Sequence, residues 1–268
     1  MKFLKSLLGR KTPPVHLRDD SYMICCPARS GSSMFVHLLR SHPQILSHGE
    51  VLGRTVTGFA PPIGTMMKDN PALQSYFNSL KDSEPLYFIY NHVLHPRGRQ
   101  AVGFKLKYDE LSTKSYRTIL DILRQDRDLK ILFLDRENLF ERYLSHRVAD
   151  KTGVTLVTAK TPQAQPEMPV LTLDPVDMEK SFREELERKA HFRRVFAGHR
   201  SIETTYEKLV TDPTGEMDRI YAFIGVAPHA ATTTTKKIVD RDLGRVVANL
   251  PELKAHFAGS PFAAFFDA

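Results

Sequence analysis

The sequence predicts an α/β fold, a single domain built on a central parallel sheet flanked by helices. Short apolar runs that end in polar turns alternate with stretches whose apolar residues recur at helical spacing. The chain has 268 residues, enough to bury one large core. Its 41% hydrophobic and 26% charged residues are usual for a soluble globular protein.

Residues 1–19, "MKFLKSLLGRKTPPVHLRD", form a basic, apolar lead-in that Pro13 and Pro14 set apart from a domain over residues 20–268. The apolar part is too short for a signal peptide, and no small-residue cleavage site follows it. It reads either as a weak membrane-surface helix or as a frayed lead-in. No segment approaches transmembrane length. The expectation is therefore a cytoplasmic protein, peripheral to a membrane at most.

Tyr22 to Cys26 is the first strand. Adjacent Cys25 and Cys26 point to opposite faces of it, which disfavours a disulfide between them. They read as small buried hydrophobes in a reducing compartment. A reactive thiol at Cys26 is the alternative, with no catalytic set beside it. A helix follows, carrying Met34, Phe35, Leu38 and Leu39 at helical spacing. "AVGFKLKY" is the second strand, with a helix around "SYRTILDILRQ". "LKILFLD" is the third and runs into the helix "NLFERYLSHRVAD". "SIETTYEKLV" reads as a late or edge strand. "DPTGEMDRIYAFIGV" then supplies a turn and a helix with Met217, Ile220, Tyr221 and Ile224 on its apolar face.

Two stretches interrupt this alternation, residues 56–85 and 152–175, and both read as long lids, binding loops or disordered insertions. Between the second of them and "SIETTYEKLV", "DMEKSFREELERKAHFRRVFAGH" is a charged amphipathic helix. There is no internal repeat and no second domain, and nothing specifies an oligomeric state.

A net charge of +7 and a pI near 9.3 favour an anionic partner. Nucleic acid is not expected, because the positive charges are scattered rather than striped and interleaved with aromatics. Ligands of parallel α/β sheets bind beyond the carboxyl ends of the strands. The turn after the first strand, "PARSGSS", lies there. Arg29 brings a forked cation, Gly31 permits close backbone approach, and Ser30, Ser32 and Ser33 add hydroxyls beside the amides of a helix start. That set suits a phosphate. A plain Ser/Gly turn with an N-cap serine has the same composition. Gly-Lys-Ser/Thr, with which a P-loop handles ATP, is missing.

Arg136 lies at the end of the third strand, and Ser145 lies nine residues later on the next helix, so both can converge on one anion. Alternatively Arg136 pairs with Glu137 or Glu141 on a solvated surface. Glu50, in "LSHGEVLG", reads by itself as a loop carboxylate. Scattered histidines, including those near "HRVAD", lack metal-ligand spacing, so no metal is expected.

Taken together, Arg29–Ser33, Arg136 with Ser145, and "YEKL" at Tyr206–Leu209 resemble the sulfotransferase family that uses 3′-phosphoadenosine 5′-phosphosulfate (PAPS). "AVGFKLKYDEL" and "RENLFERYLSHRVA" are most similar to its bacterial carbohydrate, Nod-factor-type branch. The resemblance spans roughly residues 20–150 and 200–250. It implies a P-loop-like sulfotransferase fold and transfer of a sulfuryl group to a hydroxyl of a carbohydrate or glycolipid, leaving PAP. The implied 5′-phosphosulfate site is Arg29, Ser30, Gly31, Ser32 and Ser33. Arg136 and Ser145 are implied for the 3′-phosphate, with Tyr206 near the nucleotide. Arg29 neutralises the leaving phosphate, Glu50 is the implied base with His48 as the alternative, and Lys105 touches substrate or sulfate, with Lys107 on the same strand face.

Sulfuryl transfer asks for in-line placement and stabilisation of spreading negative charge. The chain departs from the family in having no Trp for adenine to stack on and in an Arg-to-Ser spacing one residue longer than usual. Lys236, Lys237 and Arg241 are either a replacement for the basic clamp of the cytosolic branch or a solvated basic run. An ATP-dependent kinase or nucleotide-binding protein is the competing reading. A non-catalytic member that binds PAP or glycans is another.

Overall fold

The computed structural model describes residues 21–112, 116–158, 167–236 and 243–267. The lead-in, Lys237 and Arg241 lie outside them. Five parallel strands form the sheet in the order β2-β3-β1-β4-β6: β1 (Ser21–Cys26), β2 (Ile45–Ser47), β3 (Ala101–Lys107), β4 (Lys130–Asp135) and β6 (Ser201–Thr205). A two-residue β5 (Val157–Thr158) pairs antiparallel with β7 (Thr235–Lys236) beside it. Every residue of β1 and β4 is buried, because helices cover both faces. This is why the two strands read as continuous apolar runs rather than as alternation.

The helices are α1 (Ser32–Arg40), α2 (Ile63–Asp69), α3 (Pro71–Ser83), α4 (Arg117–Gln125), α5 (Leu139–Thr152), α6 (Pro175–Val195), α7 (Tyr206–Thr211), α8 (Pro213–Ile224) and α9 (Leu250–Phe257), joined by shorter helical turns. Met23 and Cys25 face a core shared with α2, α3 and α4. Tyr22, Ile24 and Cys26 face one shared with α1 and α8. The cysteines thus point to opposite sides of the sheet and are free. Burial pushes the Cys26 thiol up to about 11, so it is protonated at neutral pH and the reactive-thiol alternative loses its basis. Leu139, Phe140 and Leu144 of α5, Phe182 of α6 and the C-terminal Phe257, Phe262 and Phe266 build a third apolar cluster.

Three expectations are corrected. Residues 56–85 are largely helical: Ile63 and Met67, then Leu73, Phe77 and Leu80, are buried at helical spacing, and Asn70 caps α3 by accepting the Ala72 N–H at 3.1 Å. Dense Gly, Pro and Met concealed that period. The three-residue β2 was too short to read. "SIETTYEKLV" is a strand only as far as Thr205, whose hydroxyl accepts the Lys208 N–H at 3.2 Å and starts α7 at Tyr206. Among the described residues, no helix is long and apolar enough to cross a membrane.

Candidate active site

The turn after β1 is wound tightly. Arg29 and Gly31 both adopt left-handed backbone, φ 64° and 81°. Buried Ser30 donates to the Pro27 carbonyl at 3.0 Å, so its hydroxyl braces the turn from inside. Arg142 of α5 donates to the Ala28 carbonyl at 3.3 Å. Gly31 is required twice over, since a Cβ there would also come within 2.4 Å of the Tyr206 ring. The Phe35 N–H closes the first helical bond onto Gly31 at 3.1 Å. Amides ahead of it have no intrahelical acceptor and lie at the positive end of α1.

Arg29 connects the two motifs. Its Nε and Nη2 donate to Ser145 Oγ at 3.2 and 3.0 Å, and its Nη1 donates to the Thr155 carbonyl at 2.7 Å. Ser145 is left with its own proton to donate into the cleft. No carboxylate pairs with Arg29 among the described residues. Burial, and then the charge of nearby Arg136, lower the Arg29 pKa, so an anion between the two guanidiniums relieves both penalties.

Arg136 is buried with its guanidinium 4.7 Å from the centroid of the Tyr206 ring. It pairs with Glu141, and its Nε lies 4.0 Å from Glu207 without a hydrogen-bond partner. The Glu141 pairing anticipated from sequence therefore exists, but in a buried setting rather than on a solvated surface.

Glu50 follows β2 at the other end of the same region. Lys105 and Lys107, alternate residues on β3, reach its two oxygens at 2.8 and 2.9 Å. Burial pushes the Glu50 carboxyl up, but the two ammonium groups outweigh it and hold the pKa below the usual carboxylate range. Lys107 also approaches Glu110 at 3.7 Å, and Glu110 accepts the Lys107 N–H at 3.0 Å. His48 is placed differently. It is 1% exposed, its Nδ1 accepts the Ala60 N–H at 3.0 Å, and its ring packs edge-on against Phe59. Burial, with Arg97 and Arg40 adding to it, drives its pKa well below the ordinary value. His48 is inside the fold and does not line the cleft described below.

One cleft of about 680 Å³ joins these groups. Arg29, Gly31, Ser32, Ser33, Arg136, Ser145 and Tyr206 line one part of it, and Glu50, Lys105 and Lys107 line another. Leu156, Val157 and Val210 supply apolar wall. Thr155, Glu110 and Arg142 were not foreseen. Thr155 acts through its carbonyl, which no side-chain pattern betrays. Arg142 lies one turn before Ser145 on the buried side of α5, a placement that its charge in the sequence does not signal. Among the described residues no group of His, Cys, Asp or Glu could hold a metal ion.

A parallel α/β sheet carries at its carboxyl edge a small-residue turn, two converging arginines and a clamped carboxylate, an arrangement that suits an anionic ligand. The sulfotransferase family profile matches residues 22–230, and the chain belongs to that family. It is similar to a nodulation protein H from Rhizobium tropici, 25% identical over 251 residues, covering 92% of this chain and 93% of the relative. A nodulation protein H from Rhizobium meliloti (strain 1021) is 25% identical over 254 residues, 94% of this chain and 96% of the relative. The crystal structure of a sulfotransferase from Alicyclobacillus acidocaldarius is similar at a TM-score of 0.49 and 18% identity, over 94% of this chain and 95% of that one. The protein is thus a transferase of the sulfotransferase class.

Proposed function

We propose that this sulfotransferase moves the sulfuryl group of PAPS to a hydroxyl of a carbohydrate or glycolipid acceptor. The observation that carries the reading is the single cleft in which the Arg29–Ser33 turn, Arg136 and Ser145 lie together with Glu50. The donor set fits two separate anionic groups. Turn amides and serines suit one; the buried, unpartnered Arg136 Nε and the Ser145 hydroxyl suit the other. PAPS, when bound, supplies an activated sulfuryl group and a bisphosphate leaving group. The carbohydrate acceptor draws support from the likeness of "GFKLKYDEL" and "RENLFERYLSHRVA" to the bacterial carbohydrate branch, and from similarity to nodulation proteins over nearly the whole chain.

In this reading Arg29 neutralises charge on the 5′ side and Tyr206 shelves the nucleotide. Glu50 is ionised at neutral pH and receives the acceptor hydroxyl proton. Protonating Glu50 weakens its hold on Lys105 and Lys107, which frees their cations for the charge spreading over the sulfuryl oxygens.

The test is melting in PAP, AMP or ATP at equal concentration. A ligand bound only by the native state stabilises it by about 2.7 kcal/mol at a hundredfold excess over Kd. PAP is expected to exceed AMP and ATP, and Arg136→Ala to level the three. Equal stabilisation by PAP and AMP in the unaltered protein would remove the 3′-phosphate pocket, and a lead for ATP would favour the kinase alternative.

A further inference from the structure

The loop that carries Glu50 leaves the end of β2 and returns to its own start. The Gly49 N–H donates to the Gly58 carbonyl at 2.6 Å, and the Gly58 N–H donates to the Glu50 carbonyl at 3.3 Å. A Cβ on Gly58 would lie 2.2 Å from the Glu50 nitrogen, so the crossing tolerates only glycine. Val51, Leu52 and Val56 are fully buried beneath it. The backbone polar groups in the middle of this loop need partners that the loop itself lacks.

One face of α3 supplies them. Lys81 Nζ donates to the carbonyls of Gly53 and Arg54 at 2.7 and 3.1 Å. Asn78 Oδ1 accepts the Val56 N–H at 2.7 Å, and Gln74 Nε2 donates to the Val56 carbonyl at 3.1 Å. These three residues stand at i, i+4 and i+7, a single stripe on a helix whose other buried positions are apolar. Lys81 is 5% exposed, and its one carboxylate partner among the described residues, Asp82 at 3.6 Å, lies out at the surface. Burying an ammonium is costly, and a methionine of similar length would fill the space without that cost. What the ammonium adds is a fixed path for the loop.

We propose that Gln74, Asn78 and Lys81 form a positioning stripe that sets the Glu50 carboxylate against Lys105 and Lys107, and so acts on turnover through the loop. The inference rests on reading Glu50 as the base. The groups facing Glu50 are Lys105 and Lys107 from β3, Glu110 from the turn after it, and the Cys26 thiol from β1. Releasing the loop moves the carboxylate away from the two cations, and its titration shifts towards higher pH. A misplacement of about 1 Å is enough to cost about a hundredfold in rate.

Lys81→Met keeps the length and removes the donors. Sulfate transfer from labelled PAPS to chitotetraose, cellotetraose and maltotetraose is followed below the melting temperature of both proteins. Carbon-13 carboxyl NMR follows the Glu50 titration, with its signal assigned by Glu50→Gln. The expected result is a fall in kcat of about a hundredfold, an unchanged KM for PAPS, an unchanged PAP-induced melting shift and an upward move of the Glu50 midpoint. Lys81→Gln, which restores one donor, is expected to recover part of each.

An unchanged kcat and midpoint in a variant that merely melts earlier would overturn the proposal and leave α3 a structural support. Wild-type turnover in Glu50→Gln would instead sink the assignment of the base, while the NMR midpoint still decides whether the stripe positions the carboxylate. Should Lys81→Met not fold, Gln74→Ala at the half-buried end of the stripe is read by the same two measurements.

Discussion

Gly31→Ala probes the contact on which the turn after β1 and the placement of the Tyr206 ring both depend. Alanine in the left-handed region at φ 81° costs about 1–2 kcal/mol from backbone sterics alone. Its Cβ would also stand 2.4 Å from Cδ2 and 3.1 Å from Cε2 of Tyr206. The ring must therefore move, and in moving it leaves the Arg136 guanidinium now 4.7 Å above it, an interaction worth about 0.5–2 kcal/mol. The sum is roughly 1.5–4 kcal/mol, which corresponds to a drop in Tm of roughly 3–16 °C for a protein of this size.

Gly98 is the internal control. Its φ is 82°, but nothing lies within 4 Å of an added Cβ, so Gly98→Ala carries the backbone penalty without the clash. The assay is denaturant unfolding of both variants, and of Gly31→Ala in a Tyr206→Ala background. The double-mutant cycle is expected to return a coupling of about 1 kcal/mol, since the clash disappears with the ring. PAP affinity is expected to fall at least about tenfold in Gly31→Ala and to stay unchanged in Gly98→Ala, the first corresponding to about 1.4 kcal/mol. A Gly31→Ala variant no less stable than Gly98→Ala, with no coupling to Tyr206, would refute the argument that the ring enforces glycine.

Arg142→Met leaves Glu185 buried without its guanidinium, now 3.6 Å away, and is expected to cost about 3–5 kcal/mol in denaturant unfolding, with the Glu185→Gln, Arg142→Met pair recovering much of it. Glu50 has a depressed pKa in the folded state, so its contribution to stability is present above its unfolded value of about 4.3 and is lost as pH falls through the folded value. Glu50→Gln is therefore expected to flatten the acid side of the Tm-versus-pH curve while leaving PAP-induced stabilisation intact. Lys105→Met removes one of the two cations holding that carboxyl down, and the acidic limb of the kcat profile is expected to move to higher pH, measured with labelled PAPS.

The alternation of β1, the small-residue turn and α1 was legible because it is local: a strand reads through burial of both faces, a helix through its period, and a turn through Gly and Ser. Arg136 could be placed at the end of β4 for the same reason. The segment 56–85 was not legible as helix, since its period is carried by a few residues among prolines and glycines, and its role as a brace for the Glu50 loop depends on hydrogen bonds to main-chain atoms. Glu50 and His48 stand two residues apart, and the resemblance names Glu50 as the base with His48 as the alternative. Packing against Phe59 and Ala60 put His48 inside the fold, and Glu50 faces the cleft.

By itself, then, the sequence determined the α/β class, the strands β1, β3 and β4 with the helices that follow them, and a candidate set of site residues, because residue type and short-range spacing govern backbone conformation. Tertiary structure alone decided that Arg29 grips Ser145, that Arg136 lies buried over Tyr206, and that Lys105 and Lys107 lower the Glu50 pKa. Those facts are sums of distance-dependent interactions and desolvation between groups far apart in the chain, and no local pattern records which of them will meet.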